Sequence, residues 1–414
     1  MQTTGAAPIQ SASGSASVWR DPALWFVLAA AFAYGAVFNV LPVMFPAFRS
    51  EFGANFEELG RTQLLFFISS LLVSALGGWF IGRAGFRRAA AGSIALLAVG
   101  LLTIAAAPRF AAVLAGAFLF GLAISALVVV CNSIVSEHFG ERRQSVFSVF
   151  GILDAVGAIV GPAVLGWFLG AGRPGAWRGV CAGMAAGLLL LGAWVLFLRP
   201  KNGWQAPARF EGASEHMAEI GGILGRLTIY GIGLATFLHG VAQVGMISWV
   251  GQFFQKTHGI GSDRAAYFIS VNSAGFFAGR SLLTWITSRR PLPELAVLAV
   301  SAGGGTIAFL CTVFAPDYWT ALACFAVAGF FISGDAPSMN SYTGLRFAGR
   351  TATAFALLSG IGNIGGAAGP YVTGLIAARA GIERGIRFIP AFSLALAGLA
   401  IVWYLRTSRP AKTS

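Results

Sequence analysis

The chain carries one glycine-proline pattern twice, as GAIVGPAVLG at residues 157–166 and as GGAAGPYVTG at residues 365–374. The shift of 208 residues that superposes these two stretches also lays Asn132 on Asn340. Small residues in such patterns allow helices to pack closely inside a membrane. The repeat therefore predicts two equivalent helical halves, with the fifth and eleventh helices in matching positions.

The composition indicates a membrane protein. Of the 414 residues, 57% are hydrophobic and 10% are charged, and the mean hydropathy of +0.76 is too high for an ordinary soluble domain. The net charge of +13 does not indicate nucleic-acid binding, because the basic residues fall between apolar segments. The sequence shows no nucleotide-binding loop and no metal-type pairing of cysteines. We therefore expect a lipid bilayer as the surroundings, and neither cofactor, metal, nucleic acid nor enzymatic activity.

Twelve apolar runs are long enough to cross about 30 Å of hydrocarbon, which takes roughly 20 residues. This count predicts an all-α polytopic membrane fold with an N-terminal half at 21–199 and a C-terminal half at 226–406. Between them we expect a cytoplasmic linker at 200–225, with a disordered tail at 1–20 and a second tail at 407–414. The runs lie near residues 22–48, 59–82, 88–107, 110–137, 144–171, 177–199, 226–254, 263–287, 292–313, 317–345, 350–378 and 385–405.

The basic residues predict the orientation of the chain. More of the 28 Lys and Arg residues fall on the side that holds both termini and the linker than on the opposite side. Cytoplasmic loops carry such an excess of Lys and Arg. We therefore predict a multi-pass protein of a bacterial inner membrane with both termini in the cytoplasm, and we expect a monomer.

Four ionisable side chains lie deep inside predicted spans: Arg280, Asp154, Asp335 and His239. A buried cation costs at least about 2.5–3.5 kcal/mol on insertion scales, so Arg280 needs water or a protein partner. Counting about 1.5 Å per residue from the basic residue at each helix end puts all four roughly 14–20 Å deep, near the middle of the core. The shared depth predicts one polar site at the midplane.

Several stretches resemble the major facilitator superfamily, and the resemblance covers essentially all twelve predicted helices. The loop at residues 82–88 is similar to a cytoplasmic signature of that family, although Gly82 stands where the family often has Asp. The stretch at 157–166 resembles a fifth-helix motif of many antiporters, and its recurrence favours close packing as its main role. The conformational-motif residues are Gly82, Arg83, Gly85, Arg87, Arg88, Gly157, Gly161, Pro162, Gly369 and Pro370.

Within the superfamily, the chain resembles the fucose-permease-like sugar branch. The resemblance lies in the run that begins at Trp249, in the Gly279-Arg280 pair, and in the stretches 334–337 and 362–366. Similar Gly-Arg pairs occur in carboxylate transporters. Where the sugar branch commonly has a seventh-helix Glu, this chain has Gln243, so a proton carrier is not expected there.

The resemblance implies that helices 1, 4, 7 and 10 line a central cavity, and that helices 5 and 8 pack together across the two halves. On that pattern Asp154 and Arg280 are candidates for a cross-half ion pair, while Asp335 and His239 approach from helices 10 and 7. The candidate substrate contacts are Arg280, Tyr34, Asn39, Asn132, Gln243, Asn272, Asn340 and Trp249.

Each of these residues also has a purely structural interpretation. Arg280 could pair with Asp154 or Asp335 only to order the bundle, and His239 could be a neutral imidazole bonded to a backbone carbonyl. A lone Asn is often a hydrogen bond between helices. In the functional interpretation, the planar guanidinium suits a carboxylate or phosphate, and Asp335, Asp154 or His239 carries a proton.

Together these features predict a secondary active transporter whose two halves rock around a midplane site. The expected substrate is a small organic anion bound by Arg280, with a proton as the coupling ion. One alternative is a proton-driven symporter of a neutral sugar or polyol. Another is an exporter of hydrophobic compounds, which the aromatic content of 13% favours. A membrane sensor would need a signalling domain, and the linker is too short to contain one.

Overall fold

Helices form the regular secondary structure of the protein throughout its described residues. The computed structural model describes residues 20–139, 143–170, 175–199, 220–290, 292–347 and 351–407, without the side chains of 74–83, 137, 143–145 and 351–352. Most of the predicted linker and both predicted tails, except Arg20 and Thr407, lie outside these residues.

The first half contains six helical stretches. The first, α1, spans Pro22–Phe52 in three pieces, Pro22–Phe38, Val40–Val43 and Phe45–Phe52. The remaining five are unbroken: α2 Phe56–Ala84, α3 Phe86–Ala105, α4 Phe110–His138, α5 Arg143–Gly170 and α6 Ala176–Phe197.

The second half repeats this arrangement. Two of its stretches are broken: α10 spans Tyr318–Arg346 as Tyr318–Ile332 and Asp335–Arg346, and α12 spans Ile382–Thr407 as Ile382–Phe388 and Pro390–Thr407. The unbroken stretches are α7 Leu227–His258, α8 Ser262–Arg289, α9 Glu294–Val313 and α11 Thr351–Ala380.

The length and apolar character of these stretches suit a membrane. Within the described residues, nine of them are long and apolar enough to cross a bilayer, and α2, α8 and α11 are not among the nine. For α8 the reason is its polar content, which includes Asn272 and Arg280. The all-α membrane fold is confirmed, and the twelve stretches are consistent with the predicted count.

The two halves meet along two pairs of helices. One contact joins α2 to α11, and the other joins α5 to α8, as the family resemblance implied. Within each half, the glycine-proline helix packs on the first helix of that half, so α5 lies against α1 and α11 lies against α7. The sequence repeat is therefore also a repeat of packing.

Glycines make that packing close. A side chain at Gly157 or Gly161 would overlap the backbone of α1 at Phe32 or Ala36. In the second half, Gly365 and Gly369 lie in the same way against the backbone of α7. The motif glycines therefore let neighbouring helices pack closely, which is the role that the sequence analysis favoured for them.

The break in α10 leaves a backbone acceptor inside the bundle. The carbonyl of residue 333 would ordinarily accept the N–H of residue 337 in an α-helix. Residue 337 is proline, which has no backbone N–H. Ser333 and Gly334 separate the two pieces of α10, and Asp335 begins the second piece. The Ser333 carbonyl must therefore find its donor outside α10.

We expect Gly157→Ala to lower the apparent melting temperature of the purified protein. The added methyl group would meet the backbone of α1, and overpacking of this kind typically costs about 1–3 kcal/mol. Gly151→Ala on the same helix is the matched control, because a side chain there meets nothing within 4 Å. Equal melting temperatures for the two variants, measured by thermal shift in detergent, would contradict the packing role.

Candidate functional site

A cavity of about 930 Å³ lies between the two halves. It is lined by residues of α1, α2, α5, α7 and α8, so it opens where the halves meet. Its aromatic lining consists of Tyr34, Phe38, Phe66, Phe67, Phe147, Phe276 and Phe277. The other polar and charged lining residues are Asn39, Gln63, Ser148, Asp154, Gln243, Ser248, Asn272, Ser273, Arg280, Ser281 and Thr284.

Arg280 lies on α8 and reaches both the cavity and the break in α10. Gly279 allows α8 to approach the backbone of α10 at Phe330, which brings the neighbouring Arg280 close to Ser333. One guanidinium nitrogen, Nη2, donates a hydrogen bond of 3.2 Å to the Ser333 carbonyl oxygen. The guanidinium also lies over the Phe276 ring, 4.8 Å from its centroid. Arg280 thus satisfies the acceptor that Pro337 leaves free, while its side chain remains exposed to the cavity.

Asp154 faces the same cavity from α5 in the other half. Its carboxylate and the Arg280 guanidinium attract each other, but they are not within the 4.0 Å of a direct ion pair. The predicted cross-half ion pair is therefore an attraction across the cavity. The close approach of α1 at Gly35 to the backbone of Asp154 holds this part of α5 in place.

Asp335 pairs with His239. The Oδ2 atom of Asp335 lies 2.9 Å from Nδ1 of His239 on α7, and the residue is only 1% exposed. The other oxygen, Oδ1, is buried without a hydrogen-bond partner among the described residues. Neither Asp335 nor His239 lines the cavity. The four ionisable residues thus form two groups, one in the cavity and one behind it.

Several predicted polar contacts do line the cavity. Tyr34, Asn39 and Gln243 are partly exposed in its wall. Asn272 also lines it, but its side-chain amide donates a hydrogen bond of 2.9 Å to the Phe325 carbonyl. That bond ties α8 to α10, so Asn272 also has the structural role that was weighed for lone asparagines.

Asn132 and Asn340 do not line the cavity, contrary to the sequence prediction. Both are exposed, while the preceding residues Cys131 and Met339 are buried. Met339 packs toward α7, where its sulfur lies 3.6 Å from the Thr236 hydroxyl. Successive residues of an α-helix point about 100° apart. Neither asparagine therefore lies on the buried face of its neighbour, and among the described residues α4 and α10 contribute none to the lining of this cavity.

Trp249 is not a cavity residue either. It is 0% exposed, and its indole N–H donates a hydrogen bond of 2.9 Å to the Pro370 carbonyl on α11. Its ring packs against Phe45 of α1 and Phe56 of α2, with centroids 5.3 and 5.8 Å apart. The tryptophan therefore joins helices of both halves and does not line the cavity in which a substrate contact was expected.

Polar contacts extend this junction toward the loops that follow α1 and α7. The Arg49 guanidinium donates to the side-chain oxygen of Gln252 at 3.4 Å, across the two halves. The same guanidinium lies over the Phe56 ring at 4.3 Å. We call Phe45, Arg49, Phe56, Trp249 and Gln252 the inter-half seal. It closes the bundle between the ends of α1 and α7 and the start of α2.

Six polar residues of the cavity wall were not among the sequence candidates, namely Gln63, Ser148, Ser248, Ser273, Ser281 and Thr284, and two of them are buried. Gln63 lies near the predicted start of its span, where a polar residue attracts little notice, yet it is only 4% exposed and lines the cavity. Ser248 gives no sequence signal, because helical serines usually bond to their own backbone. Its hydroxyl is instead buried without a hydrogen-bond partner within the described residues. A search for every amide inside an apolar run would have found Gln63.

The signature loop is described in part. Gly82 and Arg83 lie at the end of α2, among residues 74–83 whose side chains are outside the described part of the chain. Gly85 adopts a positive φ of 74°, which favours glycine, and it begins α3. Arg87 and Arg88 are exposed in the first turn of α3. The turn between α2 and α3 thus depends on Gly85.

Two halves of six helical stretches around a shared cavity define a polytopic membrane transporter fold. The family model of the Major Facilitator Superfamily matches residues 26–310 and 292–414, and the chain belongs to this family of transporters.

Known proteins agree with this assignment. A Multidrug resistance protein B homolog of Mycobacterium tuberculosis is 26% identical over 272 residues, which is 65% of this chain and 45% of that protein. The chain thus spans about half the length of this curated relative. A bacterial homologue of the human lysosomal transporter Spinster, solved inward-facing and unoccupied, superposes with a TM-score of 0.74 at 16% identity, over 95% of this chain and 99% of that one.

The E. coli fucose:proton symporter FucP also shares the fold. It superposes with a TM-score of 0.64 at 17% identity, over 92% of this chain and 98% of that one. The sequence resemblance to the fucose-permease-like branch thus has a structural counterpart at the level of the fold.

We expect Trp249→Ala to open the inter-half seal. The change removes the hydrogen bond to Pro370 and the ring contacts with both halves, so the cavity should become accessible from the side of the α1–α2 loop. A Ser273→Cys reporter in a chain without its native cysteines should then react several times faster with an impermeant maleimide applied on that side.

Trp167→Ala is the control for this measurement, because Trp167 is 64% exposed on the outer surface of α5. Its labelling rate should match that of the unmodified chain. An unchanged rate in Trp249→Ala would show that the seal does not depend on the tryptophan.

Proposed function

We propose that the protein is a secondary active transporter that carries a small organic anion, most simply a carboxylate, by alternating access coupled to protons. The observation that carries this proposal is the position of Arg280. Its guanidinium is exposed in the cavity between the halves, and among the described residues it has no carboxylate within ion-pair distance. A cation placed in this way is available to a substrate.

The geometry of Arg280 suits a carboxylate. A guanidinium has five N–H donors in a planar fork, and the structure gives this one a single protein acceptor, the Ser333 carbonyl. Stacking on Phe276 orients the fork. Bidentate binding of a carboxylate to such a fork is stronger than a neutral hydrogen bond. The phenylalanines of the cavity supply an apolar wall for the organic part of the substrate.

Charge balance supports proton coupling. An anion bound at Arg280 would share the cavity with Asp154, so the loaded site would hold one more negative charge than the empty one. Uptake of a proton would offset that charge in a region where unpaired charges are expensive. Asp154, Asp335 and His239 are the groups that we propose as carriers.

The excess of basic residues on the terminal side supports a cytoplasmic location for both termini in a bacterial inner membrane. In that orientation the inter-half seal lies on the periplasmic side of the cavity, and the described conformation is inward-facing. We propose a monomer as the working unit, because each chain contains both halves around one cavity.

A second candidate is an exporter of hydrophobic compounds. The aromatic wall of the cavity favours it, and so does the similarity to a protein named for multidrug resistance. A neutral sugar or polyol is supported instead by the amides of Asn39, Gln63 and Gln243 in the same cavity. All three substrate classes can be compared in one binding screen.

We expect Arg280→Gln to weaken carboxylate binding by about 10- to 100-fold, because charge-assisted hydrogen bonds contribute about 1.5–3 kcal/mol. The measurement is a thermal-shift titration of purified protein with monocarboxylates, neutral sugars and lipophilic cations at two pH values. A ligand of the folded state raises the apparent melting temperature by mass action.

Arg289→Gln is the matched control, because Arg289 is exposed at the end of the same helix and lies over Trp285. It should bind like the unmodified chain. Normal carboxylate affinity in Arg280→Gln would overturn the anion proposal. Stabilisation by sugars in every variant would favour the sugar symporter, and stabilisation by lipophilic cations would favour the exporter.

A further inference from the structure

The break in α10 connects the substrate cavity to a second polar group that the cavity does not include. On one side of the break, the Ser333 carbonyl accepts a hydrogen bond of 3.2 Å from Arg280. Two residues later, Asp335 begins the second piece of α10 and pairs with His239 at 2.9 Å. The same short segment thus contacts the candidate substrate-binding cation and the buried acid.

The buried acid is incompletely satisfied. Asp335 is 1% exposed, one of its oxygens contacts the His239 imidazole, and the other has no hydrogen-bond partner within the described part of the chain. A buried polar atom without a partner is costly and needs an explanation. Such an atom is explained if Asp335 gains and loses a proton during the transport cycle. One fixed set of neighbours cannot satisfy the hydrogen bonds of both the carboxylate and the carboxylic acid.

We propose that the His239–Asp335 pair is the proton-binding site of the transporter, set apart from the substrate cavity, and that the α10 break couples it to the anion held by Arg280. This inference rests on the proposed function. The proposed function names Asp154, Asp335 and His239 as possible proton carriers, and this inference assigns the proton to the pair of His239 and Asp335. Asp154 then acts as a fixed negative charge opposite Arg280.

The proton balance of the pair is simple. With a neutral imidazole and an ionised carboxylate, the pair has a net charge of −1. Binding one proton gives either an imidazolium beside a carboxylate or a neutral imidazole beside a carboxylic acid, and both forms are neutral overall. The interior disfavours an uncompensated charge. The deprotonated pair, with its net charge of −1, is therefore the costlier form, and an anion bound nearby at Arg280 adds to that cost, so anion binding favours uptake of a proton.

The described groups that face α10 at this depth are few. Five helices pack against α10, namely α7, α8, α9, α11 and α12. Among their described residues, the side chains at this depth that ionise near neutral pH or are charged are His239 and Arg280. The other charged groups of these helices lie at helix ends: Lys256, His258, Asp263, Arg264, Arg289, Glu294, Arg379, Glu383, Arg384, Arg387 and Arg406.

The coupling follows from competition for Arg280. A carboxylate in the cavity offers the guanidinium a charged acceptor that is stronger than the Ser333 carbonyl. If Arg280 turns toward the substrate, the carbonyl loses its donor, because Pro337 cannot supply one. The break must then rearrange, and Asp335 moves with it. Substrate binding and proton binding thus act on the same backbone segment, from Ser333 to Asp335.

The test measures protons exchanged per carboxylate bound. Purified protein in weak buffer with a pH-sensitive dye is titrated with a monocarboxylate that binds the unmodified chain. We expect the unmodified protein and the control Glu383→Gln, which changes an exposed acid on α12, to take up a proton on binding, and Asp335→Asn to take up none; Asp154→Asn is measured beside them. The affinity of Asp335→Asn for the carboxylate should stay within about threefold of that of the unmodified protein. The variant should also exchange the carboxylate across a liposome membrane, because the neutral asparagine mimics the protonated aspartate.

The outcomes separate this inference from the proposed function. Normal proton uptake in Asp335→Asn, or loss of uptake only in Asp154→Asn, overturns the assignment to the His239–Asp335 pair and leaves the anion site intact. Failure of every carboxylate to bind the unmodified chain overturns the proposed function itself. If Asp335→Asn does not fold, His239→Gln is measured instead. Proton uptake with a normal dependence on pH in His239→Gln would also overturn the assignment of the proton site to the His239–Asp335 pair.

Discussion

The missing N–H of Pro337 is the constraint on which the centre of this structure depends. An unsatisfied carbonyl inside a membrane protein is costly, and so is a cation without a partner. The hydrogen bond from Arg280 to Ser333 solves both problems with one contact. A carbonyl does not neutralise the cation, however. Arg280 therefore keeps its full charge and remains exposed in the cavity, which an ion pair with Asp335 would have prevented.

The contact between Arg280 and Ser333 also places Asp335 and Asp154 in different surroundings. Because Arg280 is held by a backbone carbonyl, Asp335 is left to pair with His239, away from the cavity. Asp154 remains in the cavity and attracts Arg280 from the other half. One acid thus influences the substrate site by its field, while the other is linked to it through the helix break. The close approach of α8 and α10 at Gly279 is what allows this division.

Residue numbers are a good guide to the depth of a residue along its helix and a poor guide to the direction in which its side chain points. The rise per residue of a helix is fixed, so the shared depth of Arg280, Asp154, Asp335 and His239 followed from residue numbers alone. The direction in which a side chain points depends on which face of the helix meets protein. These helices are apolar on nearly all faces, since lipid and protein interior accept the same residues. Nothing in the pattern therefore showed that Asn132 and Asn340 lie outside the described cavity, or that Trp249 joins the two halves.

In the proposed mechanism, the anion and the proton bind at separate sites, and the total charge of the interior links their movement. In the empty protein, the charge of Arg280 is offset by Asp154 across the cavity. An anion alone adds one negative charge, and a proton alone adds one positive charge, to a region of low dielectric through which the halves must rock. Anion and proton together leave the total unchanged. The empty and the fully loaded forms can therefore reorient at similar electrostatic cost, whereas the form with the anion alone carries the largest uncompensated charge, so in the proposed mechanism the anion crosses at low cost only together with a proton.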